Sequence, residues 1–200
     1  MYIKSNQFLI EAIWAPNREI IWIQRLVLTA IGILFLITAA KIKLILPFSP
    51  VPITLGTFAV LTIGTIYGQR LGLLTIFGYL LTGMLGFDVF ANSSAEANGI
   101  LYMLGGTGGY LIGYCLAIIA LGYFAKLNWD RNIFKLAIAL IIANILIYIP
   151  GLMWLGQLYG WDQPIIAWGL TPFIIGDILK LALTASLIPL IWKLIDKLKS

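Results

Sequence analysis

Six apolar stretches, each close to the length that crosses a membrane, constrain the fold of this 200-residue chain more than any other feature. A spanning helix needs about 20 apolar residues, so the chain has room for roughly six spans with short connections. Apolar residues make up 61% of the sequence and charged residues 10%, a composition that a soluble domain could not keep out of water. We therefore predict an all-α integral membrane protein with six transmembrane helices. The predicted spans are 26–46, 53–68, 71–87, 110–125, 133–155 and 173–192.

The first 21 residues form a separate predicted unit. They mix apolar residues such as Phe8 and Trp14 with charged residues such as Lys4 and Glu11, and have no uninterrupted hydrophobic core followed by a cleavage site. This pattern disfavours a signal peptide and favours an amphipathic helix lying at the membrane interface. Residues 22–200 are then predicted to form the six-helix membrane domain, with a substrate pocket toward the outer side.

The basic residues predict the orientation of the spans. We predict that the chain lies in the plasma membrane with both termini in the cytoplasm. Ten basic residues then lie on the inner side, and two, Lys41 and Lys43, lie on the outer side. We assign the net charge of +5 to this topology and not to nucleic-acid binding. The ten inner residues are Lys4, Arg18, Arg25, Arg70, Lys126, Arg131, Lys135, Lys193, Lys197 and Lys199.

Two opposite charges, Asp177 and Lys180, lie inside the last apolar span. A charge at the centre of a membrane helix costs roughly 2.5–3.5 kcal/mol on insertion scales, so such residues usually face a protein interior, pair, or meet a ligand. Their i,i+3 spacing puts both on one helix face, which Thr184 continues. The pair is either a ligand site in the outer half of the membrane or a purely structural tie between helices.

The sequence lacks the residues that several kinds of chemistry need. Histidine is absent, and the single Cys115 stands in an apolar run, so we expect neither a metal nor a cofactor and no catalytic residue. The glycine clusters lack the Gly-Lys-Ser/Thr ending of a phosphate-binding loop, so any ATP hydrolysis must come from another chain.

Three segments carry more information than composition requires: 50–56 (PVPITLG), 105–111 (GGTGGYL) and 172–180 (PFIIGDILK). In the second, four glycines permit close turns, and Thr107 and Tyr110 add hydroxyl groups beside them. A helix-packing role for these small residues is the alternative. Trp168 belongs to an aromatic cluster in the predicted outer loop 156–172, which forms either an interfacial belt or a pocket wall. We also place Asn98, at the end of the polar stretch 92–98, in the predicted binding site.

In this order, and together with 79–81 (YLL) and Phe90-Ala91, these segments resemble the BioY family, the biotin-binding S components of energy-coupling factor (ECF) transporters. The resemblance covers about residues 50–180. It implies high-affinity capture of biotin from outside the cell, with ATP hydrolysis supplied by a separate transmembrane coupling subunit and two ATPase subunits. Gly56 and Gly106 replace the family's usual glutamine and proline, and the first span has no Ala-x-x-x-Ala pattern, which several S components use in docking.

Biotin chemistry fits these residues independently. The carboxylate of Asp177 can accept hydrogen bonds from the ureido N–H groups, and Lys180 can donate to a ligand oxygen, while aromatic side chains cover the ring. Which end of biotin each residue meets stays open at this stage. Two other functions remain as alternatives: a proton-coupled secondary carrier of a small organic acid or another vitamin, and a membrane enzyme using Asp177 and Lys180 as acid and base.

Overall fold

The computed structural model describes residues 7–17, 19–93 and 98–199. Two of the basic residues used to predict the orientation, Lys4 and Arg18, lie outside the described residues. So do residues 94–97 of the polar stretch 92–98. A two-stranded antiparallel hairpin pairs β1 (Lys43–Leu44) with β2 (Ile53–Thr54). The α-helices are α1 (Leu9–Ile13), α2 (Ile21–Lys41), α3 (Gly56–Met84), α4 (Gly99–Met103), α5 (Gly108–Lys126), α6 (Ile133–Tyr159), α7 (Ile165–Gly169) and α8 (Ile174–Lys199), with 3₁₀ turns at Trp129–Arg131 and Thr171–Phe173.

Five helical segments in the described part of the chain are long and apolar enough to cross a membrane. They are α2, α3, α5, α6 and the segment Ile165–Leu198, which contains α8. Helix α5 packs between α3 and α6, α2 packs on α3, and α8 contacts both α6 and α3. The result is a helix bundle whose centre is formed by α3 and α5.

Helix α3 is divided at Gly68, where φ is 71° and ψ is −174°. The carbonyl oxygen of Ile63 lies only 3.8 Å from the point where a Cβ would stand on Gly72. In a straight helix, nine residues would separate these positions by about 13.5 Å. The chain therefore turns back at Gly68, and the two parts of α3 lie side by side at the positions of the predicted spans 53–68 and 71–87. Glycine suits this turn because the positive φ disfavours other residues.

The first predicted span, 26–46, differs most from the structure, because α2 begins at Ile21 and ends at Lys41. The chain leaves the helix here because residues 43–44 pair with residues 53–54 across a proline-containing turn. The fourth, fifth and sixth predicted spans agree with α5, α6 and α8 at most boundaries to within a few residues. Among the described residues 7–17 and 19–20 of the N-terminal segment, Leu9–Ile13 is the one helical stretch, and its residues Leu9 and Ala12 are buried.

The far end of α8 is fixed by a buried hydrogen bond. Trp192 Nε1 donates to Asp130 Oδ2 at 2.7 Å, and the guanidinium of Arg131 lies 4.3 Å above the Trp192 ring. This contact joins α8 to the connection between α5 and α6, which helps to set the rotation of α8 and therefore the direction in which Asp177 points.

Close packing of α5 on α6 predicts that Gly113→Ala destabilises the protein. A Cβ at this position would lie 2.6 Å from the Cα of Ile147, so the two helix backbones must separate. We expect a loss of about 1–3 kcal/mol, as for other overpacked sites, measured as a lower midpoint of thermal unfolding in detergent. Gly176→Ala is the matched control, because nothing lies within 4 Å of its Cβ position. Equal midpoints for the two variants would contradict the observed packing.

Candidate functional site

Asp177 and Lys180 of α8 form an ion pair, and the pair is buried. Lys180 Nζ lies 3.0 Å from Asp177 Oδ1, and the two side chains are 8% and 6% exposed. Because ions are costly to bury without partners, the remaining hydrogen-bonding groups around the pair decide what it can do.

Asp177 receives hydrogen bonds on both carboxylate oxygens. Tyr148 Oη and Asn144 Nδ2, one turn apart on α6, donate to Oδ2 at 2.5 and 3.0 Å. On the other oxygen, Oδ1 accepts from Lys180, and Thr57 Oγ1 of α3 lies 3.5 Å away. Four donors thus surround this carboxylate, so both of its buried oxygens have hydrogen-bond partners. The network joins three helices.

Lys180 has fewer partners than Asp177. Besides the ion pair, its ammonium donates to Thr57 Oγ1 at 3.0 Å. An ammonium has three N–H donors, so one has no partner among the described residues and can meet a ligand. Lys180 lines a cavity, whereas Asp177 stands behind it and is not part of the lining.

The space enclosed by the lining residues measures about 670 Å³ when its opening to solvent is included. It lies at the end of the bundle where the predicted outer connections meet. Lys180 is the one charged side chain among the described lining residues. The other lining residues are Leu36, Ala40, Val51, Pro52, Thr54, Gly56, Thr57, Tyr79, Phe90, Ala91, Tyr102, Thr107, Tyr110, Leu111, Tyr114, Tyr148 and Phe173.

Aromatic rings form much of the cavity wall. Phe90 and Tyr102 stack with ring centroids 4.7 Å apart, and Tyr79 meets Phe90 edge-on at 5.4 Å. On the other side, Tyr110 packs edge-on against Tyr148 at 6.0 Å. Such a wall suits a flat, partly apolar ring, with hydroxyl groups available for a few directed hydrogen bonds.

The connection after α3 is held across the cavity mouth by two lysines from the end of α2 and from β1. Lys41 Nζ pairs with Asp88 Oδ1 at 2.5 Å. Lys43 Nζ donates to the carbonyl oxygen of Ala91 and, at 3.0 Å, to Asn92 Oδ1. The hydrogen bond from Lys41 lowers the pKa of the Asp88 carboxyl below its ordinary value, so this carboxylate stays charged near neutral pH.

The glycine segment both packs and positions the site. A Cβ on Gly109 would lie 2.2 Å from the carbonyl oxygen of Pro150, so only glycine lets this turn approach α6. Trp154 Nε1 donates to the carbonyl oxygen of Gly105 at 2.8 Å. The glycines thus have the packing role that was the alternative, and Thr107 and Tyr110 beside them line the cavity.

The structure brings four of the six predicted site residues to one place. Thr107, Tyr110 and Lys180 line the cavity, and Asp177 pairs with Lys180 directly behind the wall. Asn98 and Trp168 are not in the described lining. Asn98 precedes α4, which carries Tyr102, while the carbonyl oxygen of Trp168 accepts a hydrogen bond from Ser49 near Val51 of the wall.

Sequence reasoning missed the partners of the pair on other helices. Asn144 is a polar side chain in the middle of the apolar span 133–155, and that was a usable signal, because a polar group in a membrane helix usually finds an inward partner. Tyr148, four residues later, lies on the same helix face. Thr57 had no signal beyond its nearness to the motif at 50–56.

The fold and site together define a multi-pass helical membrane protein with an aromatic small-molecule pocket and a buried ion pair. The sequence model of the BioY family matches residues 11–197. The chain belongs to the BioY family, which confirms the resemblance inferred from the motifs.

Individual relatives agree with this assignment. A protein of Pyrococcus horikoshii named "Probable biotin transporter BioY" is 35% identical over 147 residues, which cover 73% of this chain and 83% of that protein. The "Biotin transporter BioY" of Thermotoga maritima is 32% identical over 141 residues, covering 70% and 80%. A crystal structure of the S-component for biotin from an ECF-type ABC transporter matches with a TM-score of 0.76 and 25% identity, covering 90% of this chain and 95% of that one.

The unequal bonding of the pair predicts unequal effects of its two neutral variants on stability. In Lys180→Met, the Asp177 carboxylate keeps Tyr148, Asn144 and Thr57 as donors, whereas Asp177→Asn leaves the Lys180 charge without a carboxylate. Breaking a buried pair typically costs about 3–5 kcal/mol. We expect Asp177→Asn to reach this range, Lys180→Met to cost less, and the double variant to cost less than the sum. Thermal unfolding without ligand measures all three.

Ser186→Ala provides the control for these variants. Ser186 is exposed on the same helix, and its hydroxyl donates to the carbonyl of Ala182 in its own helix, so its loss should leave the unfolding midpoint unchanged. A larger loss for Lys180→Met than for Asp177→Asn would contradict the donor arrangement around the carboxylate.

Proposed function

We propose that this protein binds biotin with high affinity and serves as the substrate-capture component of an ECF-type transporter that takes biotin into the cell. The observation that carries the proposal is the cavity with its buried pair in a fold that matches a biotin S-component over 90% of this chain. The named biotin transporters among its relatives support the same substrate.

The chemistry of biotin suits the cavity. Its ureido ring carries N–H donors and a carbonyl acceptor, its thiophane ring is apolar, and its valerate tail ends in a carboxylate. Lys180 offers a free N–H donor to a ligand oxygen, and the rings of Tyr79, Phe90 and Tyr102 offer apolar faces. Charge-assisted hydrogen bonds in a site closed to water are strong, so a few such contacts can fix the ligand.

We assign the predicted site residues different parts in this binding. Lys180, Thr107 and Tyr110 contact the ligand, and Asp177, which stands behind the wall, holds Lys180 in place. Asn98 and Trp168 do not contact the ligand in this proposal. Asn98 supports α4, and Trp168 supports the loop before β2; both elements contribute residues to the cavity wall. No enzymatic role is proposed, since the family is one of transporters.

We further propose that the two parts of α3 cross the membrane separately, so that the chain makes six crossings with both termini in the cytoplasm. The excess of basic residues at the opposite end from the cavity supports this orientation. The cavity then opens to the outside of the plasma membrane. Residues 1–21 are the interfacial unit and residues 22–200 the membrane domain, embedded in lipid.

Transport by this chain requires other subunits in our proposal. A transmembrane coupling subunit and ATPase subunits supply the movement and the energy, because the sequence offers no phosphate-binding loop. The protein alone is then a binding component.

The first functional prediction is that the purified chain alone binds biotin saturably. Titration with labelled biotin measures this binding, and desthiobiotin, which keeps the ureido ring and the acid, should compete. Fatty acids of similar length should not compete, because they cannot satisfy the polar groups at Lys180. Asp177→Asn and Lys180→Met should each weaken binding at least tenfold, about 1.4 kcal/mol or more, while Ser186→Ala binds like the parent. Folded protein without saturable binding would refute the proposal.

The second functional prediction concerns accumulation. Vesicles that contain only this protein should bind biotin at the face that carries the cavity and should not concentrate it inside. Uptake should appear when a coupling subunit and ATPases are added with ATP. Concentrative uptake by the chain alone, driven by a proton gradient, would favour the secondary-carrier alternative instead.

A further inference from the structure

The two lysines at the cavity mouth differ in how their charges are balanced. Lys41 forms an ion pair with Asp88. Lys43, two residues later, donates to a carbonyl oxygen and an amide oxygen, and it forms no direct ion pair among the described residues, although its charge also acts on the Asp88 carboxylate from a longer distance. Two ammonium groups thus share one carboxylate here, so a net positive charge remains at this group of described side chains.

Lys43 is not a lining residue but stands beside the cavity wall, at what we call its rim. In the β hairpin it lies opposite Thr54, and its ammonium binds the carbonyl oxygen of Ala91; both Thr54 and Ala91 line the cavity. Its contacts with Ala91 and Asn92 use two N–H donors, and the third has no partner among the described residues.

The inner end of the cavity has the opposite property. There the charge of Lys180 is balanced by Asp177 at 3.0 Å, so a ligand carboxylate bound to Lys180 would also face the Asp177 carboxylate. Like charges this close in a buried site repel strongly. An anionic group therefore gains more at the rim cation than at the inner pair, while a neutral polar ring suits the inner pair.

We propose that Lys43 is a second ligand subsite, which binds the carboxylate of the ligand tail at the cavity mouth and selects acidic over uncharged tails. The inference rests on the proposed function, because it takes biotin as the ligand. It orients biotin with the ureido ring toward Lys180 and the valerate carboxylate toward Lys43. The same ammonium then links the bound tail to the carbonyl oxygen of Ala91.

The test compares biotin with biotin methyl ester, which keeps both rings and loses the negative charge. Dissociation constants for both ligands are measured on the full chain for the parent, Lys43→Met, Lys43→Arg and the double variant Lys41→Met/Asp88→Asn. The last is the control, since it removes the neighbouring ion pair as a whole and leaves the net charge unchanged.

We expect the parent to bind biotin more tightly than the ester by about three- to tenfold, in keeping with a partly exposed ion pair. Lys43→Met should remove this preference by weakening biotin while leaving the ester nearly unchanged, and Lys43→Arg should retain it. Lys41→Met/Asp88→Asn should keep the preference even where it changes both affinities by the same factor.

Failure of the inference and failure of the proposed function give different results. If the parent binds both ligands and Lys43→Met weakens them equally, Lys43 only fastens the connection and the subsite is refuted. If the parent binds neither ligand, the proposed function fails and the subsite fails with it. A measurement on the parent alone adds to the test: the preference for biotin should shrink as salt rises from 0.05 to about 0.5 M, because salt screens the pair. A preference independent of salt would overturn the electrostatic subsite.

Discussion

The burial of Asp177 and Lys180 is the constraint on which the rest of the site depends. Two ions removed from water are stable only when their remaining hydrogen-bonding groups are met, and here the donors come from α3 and α6 as well as from α8. The pair thus fixes how three helices meet, and it leaves one ammonium donor facing a cavity. The cost of burying charge is offset by neighbours, and the incomplete bonding of Lys180 is what makes the pair available to a ligand.

The turn at Gly68 makes that arrangement possible. In one straight helix, Thr57 and Tyr79 would be about 33 Å apart, but both line the same cavity because the two parts of α3 lie side by side. The ion-pair partner and part of the aromatic wall therefore come from one hairpin of helices. Small residues on α5 allow the hairpin to pack closely, since a Cβ on Gly122 would reach the backbone nitrogen of Gln69 at 2.3 Å.

Much of the fold and part of the site were predictable from the sequence. Membrane-length apolar segments predicted the long helices, and a rule about charge in membranes singled out Asp177 and Lys180 because such residues are costly there. The contacts of Tyr148, Asn144 and Thr57 were not predictable, since they depend on which helix faces meet, and nearly uniform apolar sequence does not encode that. The β hairpin was missed for a related reason: two-residue strands leave no periodic pattern, and the pairing of Lys43 with Thr54 depends on the turn between them.

The attachment of the cavity mouth through Asp88 has a consequence for acid tolerance. Lys41 lowers the pKa of this carboxyl below its ordinary value of 3.8. A carboxyl with a depressed pKa keeps its stabilising contact above the unfolded-state value and loses it only as the pH falls through the lower, folded value. The connection that carries Phe90 and Ala91 should therefore stay fastened in a moderately acidic medium. The fastening of this part of the cavity wall is then independent of pH from neutrality down to the ordinary pKa of an aspartate.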